Sequence, residues 1–291
     1  MPIQQNTIKI ITMKRITIVL ILSFLAVNLK AQYNAVRIES QGTGNPVILL
    51  PGFTCPASVW DSTIVNIKGN HKYIKFTYAG FDGVPTVDMP WYPKLTADIA
   101  KYITDNQLTN ITIFGHSMGG NLAINLAAIL GNRITKLVLV DAIPCMRELI
   151  MPGVPANALQ YDSPYNNQML QMPAENFKQM AGGMASNMTI RTDKVGLLTD
   201  WILASDRKTY VYGFIDLLKL DLRDTLKSVS AKTLVVGAPF PSAEQAKAVF
   251  ESQYANLSNK QIIIAPANCK HFVMFDAVEW FYNQLNTFLE Q

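Results

Sequence analysis

The sequence predicts an α/β fold, a doubly wound and mostly parallel β-sheet that carries a helical insertion. Short apolar, β-branched runs alternate with segments of helical periodicity along most of the chain, which is the pattern of strand–helix–strand units. One of these runs, Val47–Leu50, is apolar at every position, as expected of a strand buried on both faces. Residues 32–291, in a chain that is 49% hydrophobic, are enough for one domain with a sizeable core.

The first 31 residues have the three parts of a secretory signal peptide. Met13-Lys14-Arg15 is basic, Ile16 to Leu29 is apolar, and a small residue follows at Ala31. The apolar run is shorter than the ~20 residues that span a bilayer. We expect cleavage near Ala31/Gln32 and export to the periplasm or the medium. An uncleaved N-terminal anchor stays open, because Leu29 and Lys30 are imperfect before a cleavage site.

The net charge of the chain comes from this leader. The chain has 25 basic and 21 acidic residues. Four of the basic ones lie in the leader, which leaves 21 of each sign in the mature chain. The basic pI is therefore no argument for a nucleic-acid partner.

Seven runs of apolar and β-branched residues predict the strands in order, and each ends at a turn or a loop. They are Tyr33–Glu39, Val47–Leu50, Tyr73–Tyr78, Ile111–Phe114, Lys136–Val140, Thr233–Val236 and Gln261–Ile264. Apolar spacing of three and four residues predicts the helices between and after them. These are Trp60–Ile67, Pro93–Asn106, a helix from Met118 to about Leu130, and a closing helix within Phe272–Leu289.

One strand runs into a glycine-flanked serine. Gly115-His116-Ser117-Met118-Gly119 follows an apolar run and precedes a segment rich in Ala and Leu. The G-x-S-x-G spacing between a strand and a helix raises the serine on a sharp, strained turn, where the glycines avoid Cβ clashes. The helix would direct its first N–H groups at negative charge developing there. A glycine-rich turn with an incidental serine is the alternative.

Here the sequence resembles the α/β-hydrolase family, in which Gly-His-Ser-Met-Gly-Gly is a common form of the nucleophile turn. The resemblance covers nearly the whole mature chain and implies Ser117 as the nucleophile. It also implies an oxyanion hole made by two backbone N–H groups, one from Phe53 after the second strand and one from Met118. Pro51 departs from the His-Gly that commonly opens the Phe53 loop, but the donor one residue beyond Gly52 is unaffected.

His271 is the predicted general base. A serine needs a base to remove its proton, and the chain has three histidines. His71 precedes a strand at the amino edge of the sheet, and His116 is too close to Ser117 in the chain for its ring to reach the hydroxyl. His271 follows the last strand, where the family has its base.

The acid has two candidates. The family order places it between Ser117 and His271, usually just after the strand that follows the insertion. No carboxylate lies there until Glu244, which is expected in the first turn of a helix. Asp141 follows the strand after the nucleophile helix, a position that some members use. The sequence favours Asp141 and keeps Glu244 as the alternative.

From about residue 144 to 226 the strand–helix alternation lapses. The segment is helical, and by resemblance it is the cap insertion of the family. It holds seven of the chain's twelve methionines. Flexible thioethers suit either a wall that adapts to apolar ligands or the filling of gaps against the core. Both interpretations stay open.

The predicted function is hydrolysis of carboxylic esters of small or medium, largely apolar substrates through an acyl-enzyme. A binding protein with decayed catalysis is one alternative, and a lactonase, peptidase or acyltransferase is another. The sequence has no dinucleotide loop, phosphate loop or metal-ligand pattern, so no cofactor or metal is implied. The expected partner is a small acyl substrate, with no membrane span after leader removal and no prediction of oligomeric state.

Three cysteines, Cys55, Cys145 and Cys269, follow strand ends near the predicted site. They are too few for a disulfide framework or a zinc pattern. In an exported protein one pair could bridge. The alternative is three buried, unpaired thiols.

Overall fold

A seven-stranded sheet runs through the part of the protein that the computed structural model describes, residues 33–291; the predicted leader, residues 1–31, lies outside it. The spatial order of the strands, numbered along the chain, is β1-β3-β2-β4-β5-β6-β7. Only the first strand is antiparallel to its neighbour. The predicted fold class is therefore confirmed. The strands are β1 (Val36–Gly42), β2 (Asn45–Leu50), β3 (His71–Tyr78), β4 (Ile111–His116), β5 (Ile134–Val140), β6 (Lys232–Gly237) and β7 (Lys260–Ile264).

The first strand differs from its prediction over Tyr33–Glu39, since β1 begins and ends three residues later. It pairs with β3 from Val36 opposite Tyr78 to Gly42 opposite Lys72. As the edge strand it exposes polar residues that looked like part of a turn, and its last four residues are exposed. The turn itself is confined to Thr43 and Gly44, whose φ of +103° suits glycine.

The continuous apolar run of β2 has a direct explanation. Val47 and Leu49 pack into a core cluster on one face of the sheet, and Ile48 and Leu50 into a second cluster on the other. All four are at most 1% exposed. Helices cover both faces, so neither face of the strand requires polar residues.

Among residues 33–291, six α-helices flank the sheet outside the segment between β5 and β6. Those on the face of Ile48 bury Leu95, Ile99 and Phe250, and the closing helix on the opposite face buries Phe281 and Leu285. These helices are α1 (Asp61–Asn66), α2 (Tyr92–Asp105), α3 (Met118–Leu130), α9 (Ala243–Gln253), α10 (Val273–Asp276) and α11 (Val278–Glu290).

Between β5 and β6 the described chain forms helices and no strand. We call residues 144–226 the helical insertion. It contains α4 (Met146–Ile150), α5 (Pro164–Gln171), α6 (Ala174–Met188), α7 (Thr192–Leu203) and α8 (Arg207–Lys219).

A buried carboxylate joins the insertion to the sheet layer. Asp216 of α8 accepts hydrogen bonds from the backbone N–H groups of Trp91 and Tyr92, at 2.6 and 3.1 Å, and from the Tyr161 hydroxyl. Helix α2 has no capping side chain of its own. Asp216 therefore satisfies the first N–H groups of α2 and its negative charge faces the positive end of the helix dipole.

None of the helices in residues 33–291 combines the length and the apolar character needed to cross a membrane.

Candidate active site

Ser117 lies on a strained turn between β4 and α3. Its φ of 54° and ψ of −122° are rare for a residue with a side chain. The Ser117 N–H donates to the carbonyl oxygen of Val140 at 2.8 Å, and its own carbonyl accepts from Gly120 N–H at 2.8 Å. These bonds hold the turn to the end of β5 and to the first turn of α3, which offsets part of the strain.

The flanking glycines are required by close backbone contacts. A Cβ atom on Gly115 would collide with the carbonyl oxygen of Gly119, and one on Gly119 would collide with the carbonyl oxygens of Leu50 and Pro51. The steric explanation predicted for the G-x-S-x-G spacing therefore holds at both positions.

Asp141 and His271 are joined by a hydrogen bond. The distance from His271 Nδ1 to Asp141 Oδ2 is 2.6 Å. The other carboxylate oxygen, Oδ1, accepts the backbone N–H of Ala238 at 2.8 Å. Asp141 has a φ of 45°. Its N–H donates to the carbonyl oxygen of Val236 at 2.7 Å. The end of β6 thus anchors an acid that the end of β5 supplies.

The alternative acid lies elsewhere. Glu244 is exposed in the first turn of α9, where Ser242 caps the helix. Its carboxylate makes no hydrogen bond to His271 in the described chain. The structure therefore brings Asp141, and not Glu244, to His271.

The other two histidines are also where the sequence predicts them. His71 begins β3, and its Nε2 is 2.9 Å from the carbonyl oxygen of Lys68. His116 is fully buried beside His271, with ring centroids 4.5 Å apart. Its Nε2 lies 3.0 Å from the His271 carbonyl oxygen.

Burial holds the pKa of His116 well below its usual value, and the neighbouring His271 adds to this. His116 is therefore neutral. The bond to a carbonyl oxygen requires the proton on Nε2, since a carbonyl can only accept. His116 thus fixes the backbone of His271.

Both predicted oxyanion donors are backbone N–H groups without a protein acceptor in the described chain. The N–H groups of Phe53 and Met118 donate to no acceptor within residues 33–291. Met118 is the first residue of α3, so its N–H also lies at the positive end of a helix. The ring of Phe53 packs edge-on against Phe81 and Trp91, with centroids 5.1 and 5.8 Å away, which fixes the loop.

Within the described residues no hydrogen bond joins Ser117 Oγ to His271 Nε2. Catalytic hydrogen bonds are often long without substrate and tighten when it binds. Ser117 and His271 line the same cavity together with Phe53.

The cavity extends from Ser117 along the helical insertion. Its volume is about 740 Å³, within the range of sites for drug-sized ligands. Six of the insertion's seven methionines line it, so the interpretation that thioethers form the wall holds for these six. They are Met146, Met151, Met169, Met180, Met184 and Met188.

The cysteines are unpaired and buried, so the alternative of a disulfide is wrong. Cys55 and Cys269 pack in one core cluster, while Cys145 lies outside that cluster and donates its N–H to Gln253. Burial raises the pKa of the Cys55 thiol to about 12. Residues 33–291 also contain no group of three metal-ligating side chains.

A model of the alpha/beta hydrolase family matches residues 47–284. The chain belongs to the alpha/beta hydrolase family. This match includes Phe53, the Ser117 turn, Asp141 and His271, so the family assignment covers the whole site of this α/β hydrolase.

Two curated relatives of this α/β hydrolase are esterases by name. Esterase YbfF of Escherichia coli (strain K12) is 25% identical over 116 residues, 40% of this chain and 46% of that protein. Pimeloyl-(acyl-carrier protein) methyl ester esterase of Nitrosomonas europaea is 26% identical over 111 residues, 38% of this chain and 42% of that protein. The matched stretches thus span less than half of either relative.

Solved structures show the same fold. An esterase from Exiguobacterium antarcticum superimposes with a TM-score of 0.71 and 19% identity, over 89% of this chain and 98% of that one. At this identity the likeness shows the fold alone. Family membership and the esterase-named relatives together support a hydrolase.

Three contacts were not predicted from the sequence: His116 with His271, Asp216 with α2, and Asn166 with the loop before α5. The partners in the first two pairs are 155 and about 125 residues apart in the chain. Asn166 contacts residues five and six positions away, but an Asn in a helical segment gives no signal of this contact.

Proposed function

We propose that this α/β hydrolase is a serine esterase that cleaves carboxylic esters of largely apolar substrates. The single observation that carries the proposal is that Ser117, Phe53 and His271 line one apolar cavity while His271 is hydrogen-bonded to Asp141. Ser117 lies on its strained turn, and the N–H groups of Phe53 and Met118 donate to no acceptor among residues 33–291.

In the proposed reaction His271 Nε2 accepts the Ser117 proton while Ser117 Oγ attacks the ester carbonyl. The N–H groups of Phe53 and Met118 stabilise the oxyanion. Asp141 keeps the Nδ1 proton on His271 and stabilises the imidazolium that forms. His271 then protonates the leaving alcohol.

In the second half a water molecule enters. His271 removes a proton from it, and the resulting hydroxide attacks the acyl carbonyl. Collapse of the second oxyanion releases the acid and returns the proton to Ser117. No group outside this chain other than substrate and water is needed.

The test is hydrolysis of a panel of esters with apolar acyl chains by the purified protein. Ser117→Ala should lower turnover by about 10⁴-fold or more, and His271→Ala by a similar factor. The double variant should lose no more than either single one, because nucleophile and base act as a unit. Turnover retained in Ser117→Ala would contradict the proposal, and so would additive losses.

The same experiment separates the other candidates. A binding protein would bind these esters without turnover in any variant. If the protein instead acts on lactones or peptides, or transfers the acyl group to an acceptor other than water, Ser117 remains the proposed nucleophile and only the proposed substrate class changes.

A further inference from the structure

The cavity carries no charged side chain from Asp, Glu, Lys or Arg among the described residues that line it. A charged substrate group entering it would lose its hydration without gaining a partner. The insertion side is formed mainly by methionine, leucine, isoleucine and aromatic side chains. The walls therefore favour an uncharged apolar chain.

Among the described residues of the insertion, five side chains with hydroxyl or amide groups interrupt this apolar wall: Gln160, Ser163, Tyr165, Asn166 and Tyr210. Asn166 is the most deeply buried of the five. Asn166, in the first turn of α5, lines the cavity and is only 2% exposed. Its Nδ2 donates to the carbonyl oxygens of Gln160 and Tyr161, both at 2.9 Å. Two carbonyl acceptors fix the orientation of the amide, because only the nitrogen end can donate.

The oxygen end of the Asn166 amide is free. Oδ1 accepts no hydrogen bond from residues 33–291, and it is not among the polar atoms that the protein encloses without a partner. It therefore keeps some open surface, and Asn166 is one of the residues that line the cavity. A buried acceptor that stays unpaired is costly. A donor from the ligand would remove that cost.

We propose that the site takes an ester with a medium-length apolar chain bearing one uncharged hydrogen-bond donor, a hydroxyl group, which Asn166 Oδ1 receives. The inference rests on the proposed function, since it concerns the same cavity. The methionine wall accommodates the chain, and Asn166 selects the hydroxyl and its position along the chain.

The test compares esters of one chain length, about ten carbons to suit the cavity, with a single hydroxyl moved along the chain. One set carries the chain on the acyl side and a second on the alcohol side. A purely apolar pocket would lower kcat/KM about five- to hundredfold for a hydroxyl at any position. If Asn166 Oδ1 accepts the hydroxyl, one hydroxyl position along the chain should give a kcat/KM equal to or above that of the unsubstituted ester.

Asn166→Leu should remove this preference, lowering the ratio of hydroxylated to plain ester about tenfold at that position. Asn167→Leu, the same substitution at the next position of α5, is the matched control: Asn167 is exposed, bonds Asp162 and does not line the cavity, so the ratio should stay unchanged. The ratio within one variant is independent of how much protein is folded. A uniform penalty at every position in the wild-type protein would overturn the inference.

A binding measurement separates this outcome from failure of the proposed function. Ether analogues cannot be hydrolysed, and Trp201 lines the cavity, so tryptophan fluorescence can follow their binding. Tighter binding of one hydroxylated ether than of the plain one, lost in Asn166→Leu, supports the inference even without turnover. Turnover of plain esters with no preferred hydroxyl position contradicts the inference and leaves the esterase proposal standing.

Discussion

At the residue scale the main feature is the way Asp141 is held. One oxygen contacts His271 and the other accepts the Ala238 N–H. The carboxylate therefore has one partner in the loop after β7 and one directly after β6, and a rotation that would release His271 would also break the bond to Ala238. This double attachment is what an orienting acid requires.

We predict that Asp141→Asn lowers turnover by up to ~10⁴-fold, because an amide at this position favours the wrong imidazole tautomer. Glu244→Gln is the matched control and should change turnover less than about twofold. Steady-state kinetics on a reactive ester measures both. A loss under about tenfold in Asp141→Asn, ~1.4 kcal/mol of barrier, would mean that Ser117 and His271 work as a dyad.

His116 gives a prediction about stability and pH. Its pKa is lowered by folding, so the unfolded chain binds the extra proton. The contribution of neutral His116 to the free energy of unfolding is complete above pH ~6.5. Below that pH the free energy of unfolding falls by up to about 1.4 kcal/mol per pH unit. His116→Gln keeps a donor and removes the titration.

Urea unfolding of the wild-type protein and His116→Gln at several pH values between 5 and 8 measures this. The unfolding free energy of the wild-type protein minus that of His116→Gln should decrease as the pH falls, because only the wild-type protein loses the contribution of His116. A difference independent of pH would show that His116 is not held neutral. The kcat of the variant reports separately on the contact with the His271 backbone.

For Asp141, the proposed acid, part of the arrangement could be predicted from the sequence. The position of Asp141 after a strand made it a candidate, and the lack of a carboxylate after β6 was visible in the sequence. What could not be predicted is that β6 still contributes, through the N–H of Ala238. A backbone donor has no sequence signal, since every residue other than proline carries one.

At the element scale the contact between α8 and α2 is the main long-range constraint on the insertion. Asp216 satisfies two N–H groups of α2 and one hydroxyl. The sequence predicted α2 from its apolar spacing, but a cap supplied by a helix about 125 residues later leaves no local pattern.

We predict that Asp216→Ala lowers the free energy of unfolding by about 3 kcal/mol, because it leaves buried donors unpaired. Asp224→Ala is the matched control. Asp224 pairs with Lys227 on the surface, and its loss should cost well under 1 kcal/mol. Denaturant unfolding compares them, and equal effects would contradict the role given to Asp216.

The sheet itself was the most predictable part, since a run rich in apolar and β-branched residues marked the place of every strand. The boundary of β1 was the exception. An edge strand needs an apolar face on only one side, so its polar end could not be told from a turn.

At the scale of the whole molecule, the excess of basic over acidic residues lies in the predicted leader. We propose that the protein is exported, because the leader pattern of residues 1–31 is that of a secretory signal and the remaining chain carries 21 residues of each sign.

Intact-mass measurement of the protein recovered from its native host tests this. The expected mass is that of a chain beginning near Gln32. A mass that still includes Ile16 to Leu29 would favour the anchored form over the cleaved one.

The position of the insertion in the chain has an engineering consequence. Phe53, Ser117 and Asp141 precede residue 144, and His271 follows residue 226, so every reacting group lies outside the insertion. Residues 144–226 can accordingly be treated as a cassette. If the proposed function holds, we expect that grafting the equivalent segment of another family member exchanges substrate preference and keeps the proposed catalytic residues in place. A graft must reproduce the contacts that join the insertion to the rest of the protein, which include the Asp216 carboxylate that caps α2, the Asp206 N–H that donates to Gly80, and the Met188 carbonyl oxygen that accepts the N–H of Phe272.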